Sequence, residues 1–333
     1  LIFMEKIFDK KERIFLPGAS GMVGSSIKKA LLNIEYFSNR HIILTPTRNE
    51  LNLLDEISVK NWFIKNKPTI VILAAAKVGG ILANSRYPGD FIIQNLKIQT
   101  NIIESAWITG VKRFVFLGSS CIYPKNSLQP IKEEALLKNS LESTNEYYAI
   151  AKIAGLKLCE ALRKQYGFDA ISLMPTNLYG PNDNYHPENS HVMAALIRKF
   201  LIAKKENLPS VTCWGTGKVF REFMHVDDLA DGIIFCLKNW HPSDKNAPID
   251  SLGNPLNHLN IGSGKDISIK ELSLKIAKLT DFKGEILWDA SKPDGTPKKL
   301  LDVSRLKKIG WEPKISLEDG IRETILSLDY KQL

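Results

Sequence analysis

Apolar runs of strand length recur through the first half of the chain, and segments with helical periodicity separate them. The runs occupy residues 13–17, 41–46, 69–76, 113–118 and 169–174. After the first run, apolar residues recur at Ile27, Ala30 and Leu31, and residues 90–109 form a long amphipathic segment. A continuous apolar run is typical of a strand buried on both faces of a parallel sheet. The alternation therefore predicts an α/β fold with a Rossmann-like, doubly wound parallel sheet.

The pattern changes after residue 178. Residues 182–191 are polar and lack periodicity, and loops of this length are often functional. Beyond them we expect a smaller C-terminal α/β domain, because short strands again alternate with helices. The expected helices cover 193–201, a segment ending near 237, 268–279 and 317–328, and the expected strands lie near 212–217 and 258–262. Ser268 and Glu271 have the spacing of a helix capping box.

A glycine-rich turn lies between the first strand and the first helix. Gly18, Gly21 and Gly24 are spaced as Gly-x-x-Gly-x-x-Gly, whereas most dehydrogenases have Gly-x-Gly-x-x-Gly. Glycines let the backbone approach a pyrophosphate, and the helix N-terminus offers free amides and a partial positive charge. The order of strand, turn and helix therefore favours a dinucleotide site over a turn without a ligand.

The end of the second strand bears on which dinucleotide binds. A cofactor without a 2′-phosphate usually meets an Asp or Glu there. This chain instead continues with Thr45, Pro46, Thr47 and Arg48, so no acid is present and an arginine is available. The segment favours NADP, and the alternative is an exposed loop arginine without a ligand.

Tyr148 and Lys152 are the first candidates for catalysis. On a helix, a spacing of four residues places both side chains on one face. An ammonium near a phenol stabilises the phenolate, so the pair can deliver a proton. Ser119 follows the strand at 113–118, at the end of a parallel sheet where ligands bind. A Tyr-x-x-x-Lys pair also occurs by chance in helices. The pair indicates catalysis here because the Ser119 hydroxyl and the glycine-rich dinucleotide turn accompany it.

Composition and charge narrow the class of protein. Of the 333 residues, 44% are hydrophobic and 24% are charged, as in an ordinary globular enzyme, and no apolar run has the length of a membrane span. The N-terminus does not have the pattern of a secretory signal, and we expect Met4 to be the natural initiator. Four widely spaced cysteines argue against a zinc site or disulfides and fit the cytoplasm. The net charge of +9 is spread along the chain, which favours an anionic small ligand over nucleic acid.

Longer motifs carry a resemblance to a known family. They lie at 74–80 (AAAKVGG), 117–124 (LGSSCIYP), 174–181 (MPTNLYGP), 186–191 (HPENSH) and 293–297 (PDGTP). With the glycine turn and the Tyr-x-x-x-Lys pair, they resemble the extended short-chain dehydrogenases/reductases. Within that superfamily the chain closely resembles the GDP-L-fucose synthase family, the GDP-4-keto-6-deoxy-D-mannose 3,5-epimerase/4-reductases. The resemblance runs from about residue 13 to the last helix.

The resemblance implies the roles of individual residues. Ser119, Tyr148 and Lys152 would form the reductase triad, and Cys121 and His191 the acid/base pair for epimerisation. The NADP(H)-binding residues would be Gly18, Ala19, Ser20, Gly21, Met22, Val23, Gly24, Arg48, Leu53, Leu117, Gly118, Ser119, Ser120, Lys152, Pro175, Thr176, Asn177, Leu178 and His191. The GDP-sugar would contact Lys199, Trp214, Arg221 and Asp294, with help from Lys299. No metal ion is implied.

The resemblance also implies an organisation. Residues 1–178 plus about 225–262 would form the NADP-binding domain, and 179–224 plus about 263–333 the nucleotide-sugar-binding domain. A homodimer would form through helices near 90–109 and 145–166, with no membrane or nucleic-acid partner.

The chain departs from the family pattern in three places. Ala19 and Ser20 stand where many bacterial members have His-Arg, so Arg48 gains importance for a 2′-phosphate. Tyr147 stands where the family often has proline. Residues 240–256 are a polar, proline-containing insertion to which we assign no role.

The implied chemistry fits these residue types. A carbon beside a ketone is weakly acidic, and its inversion needs a base on one face and an acid on the other. A thiolate such as Cys121 can be the base and His191 the acid, while Tyr148 hydrogen-bonds the ketone oxygen and later gives its proton during hydride transfer.

Two alternative functions would each be expected to show different residues from those of this chain. Nucleotide-sugar 4-epimerases or 4,6-dehydratases share the fold but prefer NAD, and the dehydratases commonly have Thr, Asp and Glu where this chain has Ser119, Ser120 and Cys121. A non-catalytic dinucleotide-sensing scaffold usually lacks the Tyr or the Lys, and both are present here.

Overall fold

The computed structural model describes residues 12–34, 42–292 and 294–328. The expectations for Met4, for His41 at the start of the second strand, and for Pro293 lie outside the described residues.

A six-stranded parallel sheet forms the centre of the molecule. Its strands are β1 (Arg13–Phe15), β2 (Ile42–Leu44), β3 (Ile70–Leu73), β4 (Arg113–Leu117), β5 (Ala170–Pro175) and β9 (His258–Ile261). They are ordered β2-β1-β3-β4-β5-β9, and every neighbouring pair is parallel. β3, β4 and β5 are buried along their whole length, as the predicted apolar runs require, and so is β9, although it contains His258 and Asn260. The predicted fold class is confirmed.

Helices cover both faces of this sheet. They are α1 (Met22–Leu32), α2 (Glu56–Asn66), α3 (Ile81–Arg86), α4 (Pro88–Ile108), α5 (Glu146–Tyr166) and α7 (Val226–Asn239). On one face α1 packs against α7, and on the other α4 packs against α2 and α5. The two faces bury separate apolar cores, one around Val115 and Leu229 and the other around Phe63 and Phe114.

The strand order reverses between β1 and β3. In such sheets the ligand site lies outside the carboxyl ends of the strands, at this switch point. The glycine turn follows β1, and Ser119 follows β4, so both lie at this edge.

The remaining elements form a second group above that edge. The strands are β6 (Asn177–Tyr179), β7 (Ser210–Trp214), β8 (Phe220–His225), β10 (Asp266–Ser268), β11 (Glu285–Asp289) and β12 (Lys298–Lys299). The helices are α6 (Val192–Lys205), α8 (Ile269–Leu279), α9 (Ser304–Lys308) and α10 (Leu317–Leu326). β8 pairs with β6, β10 and β12, and β7 pairs with β11. A third apolar core, which includes Phe200, Leu272 and Ile321, joins α6, α8 and α10 to these strands. Leu306 of α9 is instead buried in the core around Val115 and Leu229, and α9 contacts β9.

Two local expectations have clear outcomes. The capping box is present: the Ser268 hydroxyl accepts from the Glu271 amide, and the Glu271 carboxylate accepts from the Ser268 amide. The insertion at 240–256 is not polar throughout, because Trp240 and Leu256 at its two ends are buried in the core beneath α7.

The described residues contain no helix that is both long enough and apolar enough to cross a membrane. Within the same residues, no group of three His, Cys, Asp or Glu side chains could hold a metal ion.

Candidate active site

The three glycines of the turn have different neighbours. Gly18 has φ +86°, and a Cβ there would lie 2.8 Å from the Ala75 amide nitrogen. A Cβ on Gly24 would lie 2.1 Å from the Gly18 carbonyl oxygen. A Cβ on Gly21 would have the Gly18 carbonyl oxygen as its nearest neighbour, at 3.5 Å. The protein itself therefore leaves room for a side chain at Gly21. Gly18 and Gly24 shape the turn, whereas the open surface at Gly21 fits the close approach of a pyrophosphate.

The loop after β2 supports the preference for a 2′-phosphate. Arg48 is exposed there, and Glu50 is the nearest acid. The Glu50 carboxylate accepts from the Thr47 amide at 2.7 Å and from the Thr47 hydroxyl at 2.9 Å. Both bonds go to Oε2, and they lower the pKa of Glu50. An exposed arginine beside a carboxylate that is already bonded within its own loop fits NADP better than NAD.

The other predicted cofactor residues lie along the same sheet edge. Leu117, Gly118, Ser119 and Ser120 follow β4, and Pro175 to Leu178 connect β5 with β6. The Glu222 carbonyl on β8 accepts from the Thr176 hydroxyl at 3.2 Å and from the Asn177 amide at 2.8 Å. Leu53 is half-buried, and its carbonyl accepts from Asn101 at 3.0 Å.

Lys152 is buried beneath Tyr148. Only 4% of its surface is exposed, and its ammonium donates to the Leu117 carbonyl at 2.8 Å. The Nζ atom lies 5.9 Å from the centre of the Tyr148 ring and 5.1 Å from that of Phe116. Burial lowers the pKa of Lys152 to about 8. The predicted four-residue spacing on α5 therefore places the Lys152 ammonium, whose pKa is lowered, next to the phenol ring of Tyr148.

Tyr148 is held in its protonated form. Burial raises its pKa and an ionised Cys121 would raise it further, while a hydrogen bond with Ser119 acts in the opposite direction. Because two nearby anions oppose each other, an ionised Cys121 favours a neutral Tyr148. The phenol can thus donate a hydrogen bond while Cys121 acts as a base.

Cys121 lies in a single turn of 3₁₀ helix, Ser120–Ile122, directly after β4. The Ser119 hydroxyl caps this turn by accepting from the Cys121 amide at 3.2 Å. The Cys121 sulfur accepts from Asn145 Nδ2 at 3.3 Å and lies 3.8 Å from Lys299 Nζ. Cys121 is half-buried among polar groups. Cys159, Cys213 and Cys236 are buried, as expected for structural cysteines.

Asn145 was absent from the predicted site. It precedes α5, and its side chain does not cap that helix. Its position three residues before Tyr148, one helical turn away, is the sequence signal that could have identified it.

His191 stands immediately before α6, at the end of a loop that three contacts hold. The Asn189 carbonyl accepts from the Gly80 amide at 3.0 Å, Glu188 pairs with Arg86 at 2.9 Å, and Asn182 donates to the Ser25 hydroxyl on α1 at 3.2 Å. The imidazole keeps access to solvent, yet desolvation by the surrounding protein lowers its pKa. A lowered pKa makes the protonated ring a stronger acid.

Trp214 and Lys199 lie together at the end of β7. Trp214 is 45% exposed and is therefore not part of an apolar core. Lys199 Nζ lies 5.3 Å from the Trp214 ring centre, Lys292 Nζ lies 5.6 Å from it, and Lys199 also donates to the Thr212 carbonyl at 2.8 Å. An exposed aromatic face flanked by two cations suits a nucleotide.

Arg221 and Asp294 are joined through the backbone. Arg221 donates to the Asp294 carbonyl at 3.1 Å, while the Asp294 carboxylate accepts from the amide and the hydroxyl of Thr216, both at 2.8 Å. Burial lowers the pKa of Arg221, and the charges of Cys121, Asp294 and Glu142 oppose that effect. Arg221 therefore belongs to the neighbourhood of Cys121 and is not a surface ion pair.

Comparisons with known proteins agree with this geometry. The model of the NAD dependent epimerase/dehydratase family matches residues 14–250. The chain is 53% identical to GDP-L-fucose synthase 1 of Arabidopsis thaliana over 316 residues, which cover 95% of this chain and 93% of that protein. It is 51% identical to GDP-L-fucose synthase of Escherichia coli (strain K12) over 314 residues, covering 94% and 95%. The solved structure of a GDP-mannoheptose C4 reductase from Campylobacter jejuni with NADP bound superposes with a TM-score of 0.83 at 36% identity, covering 95% of this chain and 98% of that one.

Proposed function

The chain belongs to the NAD dependent epimerase/dehydratase family and, within it, to the GDP-L-fucose synthases, and from this we propose that it converts GDP-4-keto-6-deoxy-D-mannose to GDP-L-fucose. It inverts carbons 3 and 5 and then reduces the ketone at carbon 4, with NADP(H) as cofactor. One observation carries the assignment: Cys121 and Ser119 lie together after the end of β4. The Cys121 sulfur accepts a hydrogen bond from Asn145, and Ser119 forms a hydrogen bond with Tyr148. A base for epimerisation and a donor for reduction thus share one site.

Epimerisation uses Cys121 and His191 on opposite faces of the sugar. The Cys121 sulfur takes the proton from the carbon beside the ketone, and the electron pair of that C–H bond moves onto the ketone oxygen. Tyr148 donates a hydrogen bond to this oxygen and stabilises the enolate. His191 then returns a proton to the carbon from the other face, which inverts it.

Reduction uses Tyr148, Lys152 and Ser119. NADPH, when bound, supplies the hydride for carbon 4. Tyr148 gives its proton to the ketone oxygen, and the ammonium of Lys152 stabilises the phenolate that forms. The Ser119 hydroxyl positions the phenol.

Binding of the two ligands uses the predicted groups. We propose that the glycine turn holds the pyrophosphate of the cofactor and that Arg48 binds its 2′-phosphate. We propose that Trp214 stacks on the guanine, and that Lys199 and Arg221 bind the diphosphate of the sugar nucleotide. The Asp294 carboxylate has only its remaining lone pairs for the substrate, because Thr216 occupies the others.

The assembly and location of the protein are further parts of the proposal. A homodimer through α4 and α5 is supported by apolar side chains exposed on those helices, Ile93, Ile108, Ile150 and Tyr166. We also propose the predicted division into an NADP-binding and a nucleotide-sugar-binding domain, and a cytoplasmic location, which four free cysteines support.

One experiment tests both half-reactions. The protein is incubated with GDP-4-keto-6-deoxy-D-mannose in D₂O, with and without NADPH. We expect deuterium at carbons 3 and 5 without NADPH, and one NADPH oxidised per sugar when it is added. Cys121→Ser should abolish the deuterium incorporation, and Tyr148→Phe should abolish NADPH oxidation. If the folded protein oxidises no NADPH, the proposal fails, and reduction without deuterium exchange would leave only a C4 reductase.

A further inference from the structure

Two cations on neighbouring strands face the same sulfur. β12 pairs with β8 in parallel, and its register places Lys299 opposite Arg221. Residues paired in this way point to the same face of the sheet, where like charges oppose each other. Lys299 Nζ lies 3.8 Å from Cys121 Sγ, and an ionised Cys121 would raise the pKa of Arg221. An anion at the sulfur would offset the repulsion between the two cations.

The neighbouring lysine on the same strand shows that this arrangement is specific. Lys298 ion-pairs with Asp266 at 3.0 Å, and its Nζ lies 5.9 Å from the Phe220 ring centre. Successive residues of a strand point to opposite faces, so only Lys299 is directed at Cys121.

A neutral donor completes the surroundings of the sulfur. Asn145 Nδ2 donates to Sγ at 3.3 Å. Among the described residues, the Asn145 side-chain oxygen is buried and has no hydrogen-bond partner. The unpaired oxygen costs desolvation free energy, which a strong bond at the other end of the amide partly offsets, and a hydrogen bond to a charged acceptor is about twice as strong as a neutral one.

We propose that Lys299 and Asn145 hold Cys121 as a thiolate in the free enzyme and so prepare it as the epimerisation base. They are positioning residues, because they act through the sulfur. The inference rests on the proposed function and deepens it by naming the groups that activate the base.

The step balances in protons and electrons. The thiolate forms an S–H bond with the proton of the substrate carbon, and the electron pair of the broken C–H bond becomes the enolate. Lys299 stays protonated throughout, so the negative charge moves from the sulfur to the oxygen beside Tyr148. His191 delivers its proton to the other face of the carbon, after which the thiol loses its proton to solvent and His191 regains one.

The test uses the free protein, so its outcome does not depend on the substrate. Alkylation by iodoacetamide is followed between pH 5 and 10, and peptide mass spectrometry reports Cys121 separately from the three buried cysteines. We expect Lys299→Met to move the midpoint of the Cys121 profile to higher pH by about one unit or more, as the loss of an opposite charge within 4–6 Å implies. Asn145→Ala should move it by less, in the same direction, and Lys299→Arg should restore most of the original profile.

Matched controls separate this effect from a general change of the fold. Lys298→Met removes the same charge from the same strand, and Ser143→Ala alters an exposed residue of the same loop as Asn145, so neither should move the midpoint. If Lys299→Met unfolds, Lys299→Gln takes its place. A Lys299 variant that is folded and has an unchanged alkylation profile overturns the inference, whether or not the protein acts on the GDP-sugar.

A second measurement connects the thiolate to epimerisation. At pH 7 the Lys299→Met variant should exchange deuterium into the GDP-keto-sugar about 10- to 100-fold more slowly. The rate should recover as the pH rises, because alkali then ionises the thiol. A deficit that is equal at every pH would indicate a merely structural role and contradict the inference.

Discussion

At the scale of single residues, Lys152 combines burial with charge. Its ammonium is enclosed by Phe116, Tyr148 and the Leu117 carbonyl, and this desolvation lowers its pKa to about 8. A buried charge is unfavourable in the resting protein, but the same cation becomes stabilising when the phenol above it loses a proton. The chain therefore keeps the ammonium where the phenolate will form.

We predict that reduction is lost as this ammonium titrates. At pH values below about 8 Lys152 is protonated, and above it the phenolate loses its counter-charge. The kcat/KM for NADPH oxidation should therefore fall about tenfold per pH unit on the alkaline side. Stopped-flow absorbance between pH 6.5 and 10 measures this limb. Lys157→Met, which removes an exposed lysine of the same helix, should leave it unchanged. A rate that stays level up to pH 10 would contradict the prediction.

At the scale of elements, the loop that ends at His191 depends on a glycine in another segment. Gly80 precedes α3 in an extended conformation with φ −68°, which alanine also adopts. A Cβ on Gly80 would lie only 2.4 Å from the Ser190 carbonyl oxygen, one residue before His191. The absence of a side chain at Gly80 therefore lets the loop approach, and backbone strain has no part in it.

We predict that Gly80→Ala displaces His191 and impairs epimerisation more than reduction. The added methyl group should push the loop outwards, and an acid misplaced by about 1 Å costs on the order of 100-fold in rate. Gly89→Ala is the matched control, because a Cβ there meets nothing within 4 Å at the start of α4. Deuterium exchange and NADPH oxidation are compared for both variants. Equal exchange rates in the two variants would show that Gly80 does not set the position of the acid.

The elements also show how far sequence patterns reach. β3, β4 and β5 were predicted because each is a continuous apolar run, buried on both faces. β11 was missed because its apolar run is only three residues long, Ile286 to Trp288 between two acids, and it becomes a strand by pairing with β7, more than 70 residues earlier. α3, with six residues, is too short to display helical periodicity.

The same limit applies to the site. Tyr148 and Lys152 were found because their spacing is local to one helix. Lys299 reaches Cys121 only through the pairing of β12 with β8, and no spacing along the chain encodes that contact. The assigned roles of the predicted site residues stay predictions until the variants are measured.

At the scale of the whole molecule, the site needs pieces of the sheet and of the C-terminal elements to stay together. Glu222 on β8 is fully buried at their junction. Its carboxylate accepts from the Gly264 amide at 2.7 Å and from the Leu301 amide at 2.9 Å, and its carbonyl accepts from Thr176 and Asn177. Burial raises the pKa of Glu222, and the hydrogen bonds partly oppose this effect. One side chain thus fixes the loop after β9 and the segment after β12 to the strand that carries Arg221.

We predict that Glu222→Leu destabilises the entire molecule. The change leaves the buried Leu301 amide without an acceptor, at about 1–3 kcal/mol, and removes the bond to the exposed Gly264 amide, at about 0.5–1.5 kcal/mol, so the free energy of unfolding should fall by about 2–4 kcal/mol. Urea unfolding followed by circular dichroism and by tryptophan fluorescence should show both midpoints moving together, because Glu222 joins the parts that the two signals report. Glu285→Leu, at an exposed position of β11, should change the free energy of unfolding by no more than about 0.5 kcal/mol. If the Glu222 variant keeps the stability of the Glu285 variant, the segments that Glu222 joins are held by their apolar cores alone.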